Sequence, residues 1–285
     1  MTTAIALKIS PITRAHGAVV EGVDLSQELS DATIAEIWQA VLQHKVLFFK
    51  GQSLDSDGQI RFGSLFGGLT PSHPIAGPLD PEHPQIYEVD AYAKDSRNDT
   101  WHTDITFTRT PAKATILRAV KVPAIGGDTL FTDLEAAYDS LAAPVQGLVD
   151  QLTAVHDGSK SFAEHVEANI DFNIWEGEQY RLVPVRHPVV RVHPETGRKS
   201  LFVNPEFTRS IDGVSKYESR AILDLLFAHI TKPEHIVRHR WSDGDVGFWD
   251  NRNTAHYANY DYGDFRRVME RVTLVGDEPF GPVGR

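Results

Sequence analysis

Cysteine is absent from this chain of 285 residues. That excludes disulfides, thiolate metal ligands and iron–sulfur clusters, so any metal must be held by nitrogen and oxygen. Basic charge is also in short supply: 28 Lys and Arg stand against 39 Asp and Glu, a formal net charge of −11. Nucleic acid is therefore not an expected partner, and an anionic substrate needs a local basic pocket. No apolar run approaches the length of a membrane span, so no membrane partner is expected. The start, Met1-Thr2-Thr3-Ala4-Ile5-Ala6-Leu7-Lys8, lacks a basic segment followed by a long apolar core, and a cytoplasmic location is expected. Internal repeats, low-complexity tracts and Pro/Gly-rich linkers are missing too. Residues 1–285 are accordingly expected to form one domain, and homo-oligomerisation as a dimer or tetramer is left open.

What is present organises around Trp101-His102-Thr103-Asp104. On an extended backbone residues i and i+2 project from the same face, so His102 and Asp104 can converge on one ion. A third ligand must come from far along the chain, and His256, six residues after Asp250, is the best candidate. Two imidazoles and one carboxylate on one face of a metal is the arrangement of non-haem Fe(II) oxygenases. The His-x-acid pattern alone is weak, because about 1.8 such triplets are expected by chance in this composition. Two others occur, His165-Val166-Glu167 and His193-Pro194-Glu195.

The pattern along the chain is α+β and mainly β. A short strand is expected at Ile5 to Ile9. Ser30 caps a helix carrying Ile34, Ile37, Trp38, Val41 and Leu42 at helical spacing. Val46 to Phe49 reads as a buried strand, Asp55 to Leu65 as a second helix, and 71–84 as a long loop containing His73. Strands follow at Ile86 to Val89, Ala114 to Val120 and Thr129 to Phe131, the last fed by a Gly126-Gly127 turn. Residues 133–152 read as helical, and 157–182, with Trp175 and Tyr180, as a lid. Val189 to Val192 is a strand. Ser215 and Glu218 form a capping box opening a helix through Ile230. Strands at Ile236 to Trp241, Asp245 to Trp249 and Arg267 to Val275 close the chain. Many short strands with a few flanking helices suggest a jelly roll.

In the last of these strands, residues 267, 269, 271 and 273 share one face. Four residues of strand put Arg267 and Arg271 roughly 13 Å apart along it. Two guanidinium groups so placed can hold two separate anions, unless they face solvent or pair with acids.

These motifs together resemble the taurine dioxygenase branch of the Fe(II)/2-oxoglutarate-dependent dioxygenases. The carriers are Trp101-His102-Thr103-Asp104, Gly126-Gly127-Asp128-Thr129, His187-Pro188-Val189-Val190-Arg191, Trp249-Asp250-Asn251-Arg252 with His256, and the two arginines. The resemblance implies a double-stranded β-helix (jelly roll) with flanking helices, and iron held by His102, Asp104 and His256. It implies that Thr129 and Arg267 bind the distal carboxylate of 2-oxoglutarate. Arg271 and His73 match the sulfonate-binding pair, and Asn98, Ser161, Phe162 and Phe207 match further pocket positions. The implied reaction, with O2 as cosubstrate, hydroxylates the carbon next to the sulfonate of taurine and releases sulfite and an aldehyde with succinate and CO2.

Two departures fall at the amine end of the family's pocket. Ala76 stands where the family has a tyrosine, and Arg97 where it has an acid. A base in place of an acid weakens selection for an ammonium group. A relative cleaving alkyl sulfate esters or other alkyl sulfonates is therefore the alternative enzyme. A jelly-roll ligand-binding protein without turnover would not need an open iron face. A zinc hydrolase can use two His and one acid, but leaves Thr129 and Arg267 without a role.

Overall fold

A computed structural model of the chain describes residues 7–74, 80–90, 98–163 and 182–283. Its strands are β1 (Lys8–Pro11), β2 (Ala18–Glu21), β3 (Val46–Phe49), β4 (Tyr87–Asp90), β5 (Ala114–Lys121), β6 (Thr129–Asp133), β7 (Thr153–His156), β8 (Val185–Pro188), β9 (Val190–Val192), β10 (Lys199–Leu201), β11 (Thr208–Ile211), β12 (Ile236–His239), β13 (Val246–Asp250), β14 (Thr254–Ala258) and β15 (Val268–Thr273). The helices are α1 (Asp31–His44), α2 (Ser56–Ser64), α3 (Leu134–Asp139), α4 (Ala143–Val149) and α5 (Lys216–Ile230). The α+β, mainly β reading of the sequence is thus met.

The largest sheet has the order β1-β2-β3-β13-β5-β15-β4. A second runs β12-β6-β14, a third β11-β7-β8, and β9 pairs with β10. Among the described strands only β2 and β3 pair in parallel.

Period-2 alternation explains how the large sheet is covered on both sides. Leu47, Phe49, Ile116, Phe248 and Val272 pack with Ile37 and Val41 of α1 and Phe62 of α2. Their neighbours in sequence, Val46, Phe48, Leu117 and Trp249, pack with Phe131 of β6 and Val237 of β12. Phe131 sits 5.7 Å from Phe48 and 5.3 Å from Trp249, ring centre to ring centre. This double coverage is why Val46–Phe49 is a continuous apolar run rather than an alternating one. A third cluster joins Ala255 of β14 to α3, β7 and the Leu223, Leu226 and Ile230 stripe of α5.

The helix starts follow their cap chemistry. The Ser30 hydroxyl accepts from Thr33 N–H, and both halves of the Ser215/Glu218 box are formed. Three expectations are corrected. The first strand runs Lys8–Pro11, since Ile9 pairs with Val20 of β2, and residues 1–6 lie outside the described part. The helical stretch 133–152 is two helices separated at 140–142, because Pro144 forces a fresh first turn. Short strands of mixed polarity, β2, β7, β8, β10, β11 and β14, add to those expected.

Candidate active site

Backbone pairing brings the distant ligands together. His102 and His256 form a single antiparallel bridge: His102 N–H donates to the His256 carbonyl at 2.9 Å, and His256 N–H donates back at 2.7 Å. Directly opposed residues of this kind carry their side chains on the same face. The two rings stand 4.2 Å apart, centre to centre. Thr103 points the other way, its hydroxyl donating to the Thr254 carbonyl at 2.8 Å. Asp104 returns to the side of His102, as the i, i+2 argument requires. Ile105 then takes φ 48°, a left-handed conformation unfavourable for a β-branched residue, and turns the chain at the site.

The donor set suits a divalent metal. One ligand atom from each of His102, Asp104 and His256 lies within 4.8 Å of the others, and all three residues are buried. His102 Nδ1 lies 2.7 Å from the Thr100 carbonyl. That carbonyl only accepts, so Nδ1 donates to it and Nε2 is the nitrogen left to meet a metal. Burial, with His102 and Arg271 adding and Asp104 opposing, pushes the His256 pKa down to about 3. Its imidazole is therefore neutral at pH 7, the form that binds metals. Burial alone would raise the Asp104 pKa, but Arg271, His256, His102 and the Thr115 hydroxyl together hold it well below the usual carboxylate range. Two imidazole nitrogens and one carboxylate oxygen is the set that fits iron(II), and the residues present agree with it.

Asp104 divides its contacts. Oδ2 accepts from the Thr115 hydroxyl at 2.7 Å. Oδ1 lies 2.9 Å from the Arg271 Nη1 cation and 3.9 Å from the neutral His256 Nε2. Arg271 also lies over the Tyr87 ring at 4.9 Å, and its buried Nε has no hydrogen-bond partner among the described residues. The alternative that an arginine pairs with an acid is thus realised for Arg271, although the acid belongs to the site itself.

One cavity is lined by His73, Asn98, Ser161, Phe162, Phe207, Arg271, His102 and Asp104. A second is lined by Asn98, His102, Thr129, His256, Arg267, Met269 and Arg271. Asn98, His102 and Arg271 belong to both. Every site residue expected from sequence therefore faces one of two adjoining cavities. Arg267 is buried, and its Nε donates to the Gly127 carbonyl at 3.2 Å. Gly127 has φ +73°, and a Cβ there would stand 3.2 Å from Arg267 Cδ, so glycine permits the approach. Thr129 Oγ accepts from the Trp241 indole N–H at 2.9 Å, which leaves the hydroxyl proton to donate elsewhere.

Sequence reasoning missed several lining residues. Tyr87 lies under Arg271 and 5.1 Å from the His73 ring. Glu206 lines the first cavity and accepts from the Ser161 hydroxyl at 2.5 Å. Ile105 lines it as well. Tyr87 sat in a strand expected at Ile86 to Val89, so its facing was the available signal; Glu206 gave none beyond its place before Phe207. Of the competing triplets, His193 is wholly buried against Asp250 at 3.0 Å, and Glu195 holds Arg252 and Trp38, so both are structural. His165, Glu167, Ala76, Arg97, Trp175 and Tyr180 lie outside the described residues.

A sheet-dominated fold with this donor set, beside the buried Arg267 and the part-buried Arg271, suits a metal-dependent oxygenase. The model of the taurine catabolism dioxygenase TauD, TfdA family matches residues 8–273, and the chain belongs to that family and is a 2-oxoglutarate-dependent dioxygenase. The family implies iron and 2-oxoglutarate. The chain is 39% identical over 289 residues to an alpha-ketoglutarate-dependent sulfate ester dioxygenase of Pseudomonas putida, covering 99% of this chain and 94% of that one. It is 39% identical over 287 residues to an alkylsulfatase of Acinetobacter baylyi, covering 98% and 88%. Among solved structures, a taurine dioxygenase from Burkholderia xenovorans superposes with TM-score 0.84 at 40% identity, covering 98% of this chain and 94% of that one. No helix among the described residues is long and apolar enough to cross a membrane.

Proposed function

We propose that this enzyme uses Fe(II) and 2-oxoglutarate to hydroxylate the carbon that carries a sulfur oxyanion head, with alkyl sulfate esters as the preferred class. The observation that carries this reading is Arg271. Its side chain, 11% exposed, lines the same cavity as His102 and Asp104, has a buried Nε–H without a hydrogen-bond partner among the described residues, and has Phe162 and Phe207 around the same space. A charged donor beside apolar walls suits an anionic head on an alkyl chain. The two 39%-identical relatives act, by their names, on sulfate esters. Arg97 in place of the family's acid points the same way.

In this reading His102, Asp104 and His256 hold the iron. Thr129 donates its free hydroxyl proton, and Arg267 its fork, to the distal carboxylate of 2-oxoglutarate. Arg271 and His73 fix the oxyanion head, Phe162 and Phe207 exclude water along the chain, and Asn98 and Ser161 line the rest. Bound iron with 2-oxoglutarate supplies the oxidation: O2 is consumed, the cosubstrate leaves as succinate and CO2, and C–H becomes C–OH. From an alkyl sulfate, the resulting hydroxy sulfate breaks its C–O bond to give an aldehyde and sulfate. From a sulfonate, the C–S bond breaks to give an aldehyde and sulfite. The jelly roll implied by the family belongs to this proposal, with the β12-β6-β14 sheet closing over the large sheet.

Taurine or a similar aminosulfonate is the second reading. The Glu206 carboxylate in the cavity favours it, since it can meet an ammonium group. Aerobic incubation with Fe(II), 2-oxoglutarate and a panel of alkyl sulfates, alkyl sulfonates and taurine decides. Sulfate release without sulfite is expected. Sulfite from taurine alone would replace the first reading with the second, and no consumption of 2-oxoglutarate with any member would overturn both.

A further inference from the structure

Asp104 ends a one-directional chain of hydrogen bonds, and we infer that Thr115 and Asn251 are positioning residues that fix which of its oxygens meets the metal. The inference rests on the metal reading above. The chain starts at Trp249, whose indole N–H can only donate. It donates to Asn251 Oδ1 at 3.0 Å, which settles the orientation of that amide. Asn251 Nδ2 must then donate, and it does so to Thr115 Oγ at 2.8 Å. Having accepted there, Thr115 has its single proton left for Asp104 Oδ2, at 2.7 Å.

The four residues are buried, with Asn251 and Thr115 at 0% exposure, so water does not compete for these bonds. The sheet holds them in place. Trp249 of β13 is the cross-strand partner of Thr115 of β5, and Asn251 N–H donates to the Lys113 carbonyl at 3.0 Å.

The consequence concerns the carboxylate. Oδ2 is engaged as an acceptor of a hydroxyl proton, which leaves Oδ1 as the oxygen presented to Arg271 and His256. Asp104 then offers one oxygen rather than two. A second oxygen on the ion would take a position that the 2-oxo acid or O2 requires. Hydrogen-bond partners of metal-binding carboxylates orient them, and removing such a partner typically costs about 10–100-fold in metal affinity.

The test is titration of the metal-free protein with Mn(II), without substrate or cosubstrate, followed by calorimetry. Thr115→Val removes the hydroxyl at nearly constant shape and should weaken Mn(II) binding about 10–100-fold, while Thr115→Ser should restore it to within a few-fold. A purely structural role would lower the melting temperature of the metal-free protein and leave Mn(II) affinity unchanged, and that result overturns the inference. Should Thr115→Val fail to fold, Asn251→Ala decides. It keeps the hydroxyl but releases its direction, so several-fold weaker Mn(II) binding is expected and unchanged binding overturns the proposal. A wild-type chain that binds no Mn(II) overturns the metal reading itself. Tight binding by wild type and Thr115→Val alike overturns this inference alone.

Discussion

Replacing Arg267 by leucine isolates the cosubstrate contact from the metal. Arg267 is 6% exposed and donates Nε to the Gly127 carbonyl, so its guanidinium is aimed before any ligand arrives. Losing a charged, two-pronged contact to a carboxylate costs about 1.5–3 kcal/mol, or on the order of 10–100-fold in affinity. The Gly127 carbonyl also loses a donor, at about 1 kcal/mol of stability. The two effects separate in measurement: 2-oxoglutarate binding to Mn(II)-loaded protein by calorimetry reads the first, and a melting temperature reads the second. Arg267→Lys should fall between wild type and Arg267→Leu, since an ammonium keeps the charge without the fork. Mn(II) affinity should be unchanged in both variants. A 2-oxoglutarate affinity within about twofold of wild type, with the melting temperature lowered as expected, would refute the assignment of Arg267 and of Thr129 beside it.

Arg271→Ala should raise the KM for every sulfur oxyanion substrate by about 10–100-fold and leave 2-oxoglutarate affinity within a few-fold, read from initial rates and calorimetry; a selective effect on one head group would count against a shared anion site. Gly247→Ala puts a Cβ 2.8 Å from Trp241 Cη2, and Trp241 donates to Thr129. Overpacking there should cost about 1–3 kcal/mol in urea melts and weaken 2-oxoglutarate binding with it; stability lost at unchanged cosubstrate affinity would show that Trp241 does not position Thr129. Burial pushes the His187 pKa down to about 4 and lowers that of His156 in the same direction. Folded pKa values below the unfolded one mean stability that is full above about 6.5 and lost as pH falls toward 4, at up to about 1.4 kcal/mol per pH unit for each histidine. Equal urea midpoints at pH 7 and pH 5 would refute that.

His102 and Asp104 were legible because two ligands two residues apart need only local backbone geometry. His256 was legible as a residue but not as part of β14, whose five residues, Thr-Ala-His-Tyr-Ala, show no strong strand pattern. Between 150 and 211 β9 was read from the sequence, whereas β7, β8, β10 and β11 were hard to read for a related reason. β7 and β8 bury His156 and His187, imidazoles that meet the Thr106 hydroxyl and carbonyl, and these polar groups break the apolar period. Thr115 looked like an ordinary strand residue in Ala114-Thr115-Ile116-Leu117. Only the register that sets Trp249 opposite it shows that its hydroxyl belongs to Asp104. Tyr87 and Glu206 depend on where loops and strand ends meet, which no local pattern encodes.

Arg267 and Arg271 share one face only if β15 alternates without a break between them, and a register shift falls between Val268 and Met269 in its pairing with β5. A bulge on β15 would rotate one arginine to the opposite face. The partners, however, step from Lys121 to Ala119, so the extra residue is Val120 of β5, half-exposed at 38%. β15 keeps its own period. Arg267, Met269 and Arg271 line one cavity, while Glu270 faces the other way and pairs with Arg118 and Ser56. The strand therefore acts as a ruler between two guanidinium groups: with β4 on one side and β5 on the other, it does not readily slide. A substrate whose anionic head sits at Arg271 is thereby held at a set distance from a cosubstrate carboxylate at Arg267. Substitutions that shift β15 against β5 should then harm both binding events together, whereas either arginine substitution should harm only one.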